Sequence, residues 1–404
     1  MGLSEKQMDI IADKYIMSLF YDLEDEVISD IARRLSSTLR YTETAELMAK
    51  SMVELGYSAS EIQKEVMKQL RADKKLQMEI AENTKAYKAY VQNLIDEALK
   101  DVLEKTEFAI EEAGNMAWNN DLSMWKEHGT DLKKPNTLRQ LIYAFYLQTS
   151  GKLKNMTNST GFKGTALGTT GVLQMYQREL DLALLKVASG TFSYDVAVNE
   201  CIKRLAKSGL RHVDYASGRT YQLDTSVRMC VRTGMSQLAG KITEDNLVQT
   251  QHDLVITSQH IGSRPEHAPW QNKVFSYSGK SKKYPDFFKE TGYGTPDGLK
   301  GINCTHNFYP FWEGTSVVLE DMKEPKPVTV NGKTYTYYEA TQEQRKMERE
   351  IRALKRERNA LDNMKIDSSE VRAEIRQKTA EYKDFSGKVD IRPKTNRLRV
   401  IKAE

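Results

Sequence analysis

The sequence predicts a mainly helical α+β protein, and three observations carry that prediction. Residues 8–110, beginning "MDIIADKYIMSLFYDLEDEVISDIARRLSS", repeat apolar side chains at three- and four-residue steps, the spacing that lines one helix face. From 250 to 325 this periodicity stops and Gly, Pro and aromatic residues crowd in. Further on, "TQEQRKMEREIRALKRERNALDNM" and "EVRAEIRQKTAEYKDF" flank "KIDSS" as two charged helices of a hairpin. Four regions follow: an extended N-terminal helical arm or bundle (1–110), a helical middle region with a mobile Gly/Ser/Thr loop (111–250), a loop-rich aromatic His/Cys domain (251–327), and a β-hairpin, charged helical hairpin and basic tail (328–404).

Each element has a local reason. Gly56 suits the position just past a helix end, and Ser58 with Glu61 makes a capping box for the next helix. That helix is expected to run long, through "AYVQNLIDEALKDVLEK". "LRQLIYAFYLQTSGKL" is a helix entered after Pro135, and "TSGKLKNMTNSTGFKGTALGTTG" reads as a mobile interaction loop. That loop lacks the phosphate-cradling G-x-x-x-x-G-K-[ST] pattern. Helices ending at Gly190 and Gly209 come next, then a hairpin turning at Ser217-Gly218, then a helix capped by Asp224 or Thr225. "HDLVITSQH" is a strand entering the ring-rich unit. "VTVNGKTYTYYEA" is a hairpin with a type I′ turn at Asn331-Gly332. Asp367 and Glu370 start the last helix as a capping box, and the basic tail "VDIRPKTNRLRVIKAE" should be extended.

Composition narrows the function. The 404 residues are 39 % hydrophobic and 29 % charged, a balance that suits long helices with much exposed surface. A net charge of +4 does not announce a nucleic-acid binder. Three cysteines, Cys201, Cys230 and Cys304, argue against a disulfide framework. Cys201 and Cys230, among apolar helix neighbours, read as small buried hydrophobes. No signal peptide, myristoylation pattern or membrane span is evident, so the chain is expected in a reducing cytoplasm.

The chemistry concentrates in "HIGSRPEHAPWQNKVFS" (260–276) and "GINCTHNFYPFW" (301–312). His260, His267, Cys304 and His306 form a candidate set of ligands for a structural zinc ion. If "NCTHNFY" is a strand, Cys304 and His306 share a face, and a loop-rich unit gains most from a structural metal. The spacing matches no familiar zinc pattern, so histidines that hydrogen-bond the backbone of a tight loop unit are the competing reading. A hydrolase using Cys304 with His267 or His306, or Glu266 with Asp286, lacks any recognisable signature. On the charged helix and tail, Arg349, Arg352, Arg356, Lys394, Arg397 and Arg399 are candidate nucleic-acid contacts, although interleaved glutamates favour a solvated face.

The motif order "SQHIGSRPEHAPWQNKVFS", "YPDFFKETGYGTPDGLKGINCTHNFYPFWEG", with "DYASGRTYQLDTSVRMCVRTG" and "QEQRKMEREIRALKRER" on its flanks, resembles the phage minor capsid protein 2 family. That family is related to the phage Mu F-like head-morphogenesis proteins. The resemblance spans roughly 190–385. It implies a non-enzymatic virion component inside the head near the portal, with portal protein, major capsid protein and packaged DNA as expected partners and the bacterial host cytoplasm as the place of assembly. A zinc- or cysteine-dependent hydrolase carried in the virion is the alternative. Where the family has Cys-Arg-His, this chain has Cys304-Thr305-His306, which removes a positive charge there.

Overall fold

A computed structural model of the chain describes residues 2–163, 169–190, 193–213 and 220–400. Ser4 opens helix α1 (Glu5–Ala12) through a capping box with Gln7. A π-helical turn then leads without a break into α2 (Ser18–Leu39). After α3 (Glu43–Glu54), Gly56 takes a left-handed φ of 82°, and the Ser58–Glu61 capping box starts α4 (Ala59–Ala72). Asp73 accepts a hydrogen bond from the Leu76 backbone and starts α5 (Lys74–Glu127). At 54 residues, α5 is a rod about 80 Å long. It packs against α2, α6 (Leu138–Asn158) and α9 (Leu223–Thr250).

The polar stretch at 149–171 departs from the expected mobile loop. Helix α6 continues through Asn158 because Thr149, Ser150, Leu153 and Thr157 are buried on one face. Thr157 satisfies its hydroxyl on the Leu153 carbonyl one turn back at 3.0 Å. Strands β1 (Thr160–Lys163) and β2 (Thr169–Gly171) then pair antiparallel, while residues 164–168 lie outside the described residues. Helices α7 (Val172–Ala188) and α8 (Tyr194–Ser208) end at Gly190 and Gly209 as expected. Strands β3 (Arg211–Val213) and β4 (Thr220–Gln222) complete a four-stranded sheet in the order β2-β1-β3-β4; the turn at Ser217-Gly218 lies outside the described residues. The N-cap of α9 is Gln222, with no side-chain cap. Asp224 instead lies inside the first turn and pairs with Arg352.

The ring-rich unit is built on β5 (Leu254–Thr257), β6 (Val274–Ser276) and β7 (Phe308–Pro310), antiparallel with β5 in the centre. The short helix α10 (Phe287–Thr291) brings Phe287 against Phe275, Tyr293 and Phe308 with ring centroids 4.9–6.3 Å apart. Strands β8 (Val328–Val330) and β9 (Lys333–Tyr335) flank Asn331 and Gly332, both at positive φ as a type I′ turn requires.

Helix α11 (Tyr337–Asn363) begins four residues earlier than its charged repeat suggests, through a Thr336–Glu339 capping box. It pairs with α12 (Ser369–Lys388). The start of α12 differs from expectation: its N-cap is Ser368, and Asp367 accepts from Ser369 without a reciprocal box. The basic tail is not extended either. Ile391, Leu398 and Val400 are buried, and a 3-10 turn at Thr395–Leu398 folds it against the hairpin. Among the described residues, one hydrophobic core runs from Leu3 to Leu361 and includes Phe275, Cys304 and Phe308.

Candidate metal centre

The ring-rich unit sits on the helical body through polar and aromatic locks. Buried Lys300 directs its ammonium to Asn307 Oδ1 and, at 3.3 Å, to Ser236 Oγ on α9. Asn307 donates to the Leu3 carbonyl at 3.0 Å, and Asn303 N–H reaches Thr233 Oγ1 at 3.1 Å. At the end of α5, Trp125 meets Trp312 edge-on at 5.0 Å, and His128 stacks on Trp312 at 3.7 Å. Gly262, at φ 72°, lies so close to Tyr337 that a Cβ would fall 2.6 Å from its ring. A larger residue there would push α11 away.

Within this frame the sequence-predicted cluster partly assembles. Cys304 and His306 do converge, but not by strand alternation. Asn303 adopts a left-handed φ of 54°, and β7 begins only at Phe308. The turn is held by Cys304 N–H donating to the Gly301 carbonyl at 3.2 Å. Gly301 is needed there, since a Cβ would meet the Pro296 carbonyl at 2.3 Å. The Cys304 sulfur then stands 3.7 Å from His306 Nδ1 and 4.0 Å from His267 Nδ1. The three potential ligand atoms lie within 4.8 Å of one another, and all three residues are buried.

The outer nitrogens fix both tautomers. His267 Nε2 lies 2.8 Å from the Asp297 carbonyl, which can only accept, so Nε2 carries the proton. His306 Nε2 lies 2.8 Å from Gln271 Oε1. The His260 backbone N–H donates to that same oxygen at 2.8 Å, which identifies it as the acceptor. The Gln271 amide nitrogen donates to Ser263 Oγ at 2.9 Å. Both rings therefore present a bare Nδ1 to the sulfur. Burial, reinforced by His260, His267, Lys300 and Arg264, pushes the His306 pKa down to about 2. Burial also lowers His267 and raises the Cys304 thiol.

His260 departs from the expected four-ligand set. Its Nδ1 donates to the Ile261 carbonyl at 3.2 Å, which leaves Nε2 to accept from Thr305 Oγ1 at 2.9 Å. The ring stacks on His306 at 4.1 Å and shields the centre without pointing into it. The residues that complete the arrangement, Gln271, Asp297 and Ser263, escaped the sequence reading, because a carbonyl or an amide acquires this role only through the fold.

The predicted nucleic-acid contacts divide. Arg349, Lys394 and Arg399 are exposed. Arg356 is 1 % exposed; it donates to the Ala206 carbonyl at 2.9 Å and pairs with Glu24 at 3.4 Å. Arg352 is buried against Asp224 at 3.3 Å and donates to the Arg397 carbonyl at 3.0 Å. Arg397 and Lys394 share Glu5 at 3.4 and 3.3 Å. The charged helix is thus a docked element rather than a solvated face, and Arg352 and Arg356 are turned away from any external phosphate. No helix among the described residues is long and apolar enough to cross a membrane.

Comparison with known proteins agrees with the motif order. A structural protein of Lactococcus phage LL-H is 24 % identical over 369 residues, covering 90 % of this chain and 88 % of that protein. A structural protein of Lactococcus phage mv4 is 35 % identical over 82 residues, or 20 % of this chain and 61 % of that protein. No solved structure matches. The profile of the phage minor capsid protein 2 family matches residues 65–386, so the likeness reaches back through the whole of α5, where the sequence reading found only helical character. With a ring-rich unit, a long rod and a docked hairpin all inside one match, the chain belongs to the phage minor capsid protein 2 family and is a structural protein of phage.

Proposed function

We propose that the chain is a rigid bracket of the phage head, seated inside the shell at the portal vertex. There it binds portal and major capsid subunits and supports assembly, packaging or DNA ejection. The observation that carries this reading is α5, a single 54-residue helix whose C-terminal end is locked to the ring-rich unit through Trp125 and Trp312. A rod about 80 Å long with a folded unit fixed at its end spans neighbouring subunits; a small catalyst has no use for it. Leu47, Val53, Leu55 and Tyr57, all exposed on and just after α3, with Leu55 at 73 %, supply an apolar corner of the kind that marks protein–protein contact. Packaged DNA is a further partner in this reading, met through Arg349, Lys394 and Arg399.

The test is to locate the chain in particles. Asymmetric reconstruction of procapsids and mature heads should show it at one vertex in low copy, and Leu55→Asp should reduce its incorporation. Absence from both particle types would overturn the reading. Turnover of a cell-wall or protein substrate by the purified chain, lost in Cys304→Ser, would favour a virion-borne hydrolase instead.

A further inference from the structure

We propose that His267 Nδ1, Cys304 Sγ and His306 Nδ1 bind one divalent transition-metal ion of the zinc class, with the fourth coordination position facing the adjoining cavity. The inference is independent of where the chain sits in the head.

Proton counting carries it first. Both imidazoles aim an unprotonated nitrogen at one sulfur, because the Asp297 carbonyl and Gln271 Oε1 hold the protons on the outer nitrogens. A single thiol proton can satisfy only one of those two acceptors. The other would be left buried and unmatched, which is unfavourable for a polar atom out of water. A cation at the centre of the triangle satisfies all three donors at once. On binding, the Cys304 thiol releases its proton to solvent and the thiolate ligates, while both imidazoles enter neutral and keep their outer protons.

Geometry and chemistry agree. Ligand distances of ~2.3 Å to sulfur and ~2.0–2.1 Å to nitrogen at a tetrahedral angle place S and N about 3.6 Å apart. The observed S–N separations are 3.7 and 4.0 Å, and the three atoms lie within 4.8 Å of one another, so the triangle closes in on the ion when it binds. Thiolate with imidazole favours zinc-like ions over calcium or magnesium, which take oxygen ligands. Outer-nitrogen acceptors such as Asp297 and Gln271 are the usual supports of metal-bound histidine. All three residues also line a cavity of about 560 Å³, whose wall carries Arg232, Arg345 and Arg397 together with Glu5 and Glu348. With His260 engaged elsewhere, the fourth ligand comes from that cavity, most simply as water.

The experiment uses the purified full chain, stripped with chelator and reloaded with zinc or cobalt(II). One equivalent of zinc per chain is expected, with a thiolate-to-cobalt charge-transfer band. His260→Gln should keep both. Cys304→Ser should abolish the band, and His306→Gln should lower the affinity by at least tenfold, with helical circular dichroism unchanged. Should either variant fail to fold, the wild-type spectrum still decides, because Cys201 and Cys230 are buried on separate helices away from this site. A folded wild-type chain that takes up no metal, or binds cobalt without sulfur ligation, would overturn the proposal.

Discussion

The ring-rich unit and helix α11 bury polar groups by opposite means. Around Cys304 the donors are neutral and converge on one point: two imidazoles with inward lone pairs, supported from outside by a carbonyl and an amide. Beneath α11 the groups are carboxylates that meet guanidiniums or an amide, each charge offset by one of opposite sign or by a hydrogen-bond donor. Glu24 accepts from Leu210 N–H at 2.6 Å and faces Arg356, Asp224 faces Arg352, and Asp25 accepts from Asn359 at 2.6 Å. A neutral cluster can lose one member and stay folded. A buried ion pair that loses one partner leaves a charge out of water, which costs more than the pair ever contributed.

The largest expected effect therefore lies under α11. Arg356→Ala should cost about 3–5 kcal/mol by stranding Glu24, seen as a lower thermal midpoint and lost hydrogen-exchange protection across α11. The double change Arg356→Met with Glu24→Leu should recover much of that loss. A single variant within about 1 kcal/mol of wild type would erase the contrast between the two regions.

Asp25 sharpens the same contrast through pH. Burial raises its carboxyl from 3.8 to about 7, against the opposing hydrogen bond from Asn359. The folded chain then holds a proton that the unfolded chain has released between about pH 4 and about pH 7, so this group makes stability fall as pH rises through that window. Asp25→Asn should remove that slope and stabilise the protein by about 2–4 kcal/mol near pH 8, with the gain shrinking toward pH 5. Parallel melting curves for the two proteins across that range would contradict the assignment.

A smaller effect is expected where the two regions join. Thr336→Ala removes the hydroxyl that caps α11 beside the β8–β9 hairpin and should cost about 1 kcal/mol, read from denaturant midpoints. Smallest of all, Arg349→Ala on the exposed face should stay within about 0.5 kcal/mol of wild type. A larger loss would mean that this face is covered in the isolated chain.

The contrast also explains what the sequence could reveal. Short-range signals were legible: the Ser58–Glu61 capping box, the Asn331-Gly332 turn, and the helix ends at Gly190 and Gly209 all depend on neighbours a few residues away. The grouping of His267, Cys304 and His306 was legible because residue type marked it, although a turn at Asn303 brings them together instead of the expected strand. Helix α11 reads as a solvated face from sequence because its partners are remote. Arg356 and Glu24 stand 332 residues apart, and charge pattern along one helix says nothing about a carboxylate so distant. The turn of helix at 154–158 reads as loop in the sequence for a related reason: α6 is held by remote packing, as where Thr149 meets Gly234 of α9 and a Cβ would fall 2.4 Å from its hydroxyl.

The most direct measurement is diffraction from crystals of the zinc-loaded chain on either side of the zinc absorption edge. An anomalous peak is expected about 2.0–2.3 Å from the inner nitrogens of His267 and His306 and the sulfur of Cys304, with His260 still stacked alongside. A map without that peak, with the Cys304 sulfur still 3.7–4.0 Å from the two inner nitrogens and nothing between them, would contradict this expectation.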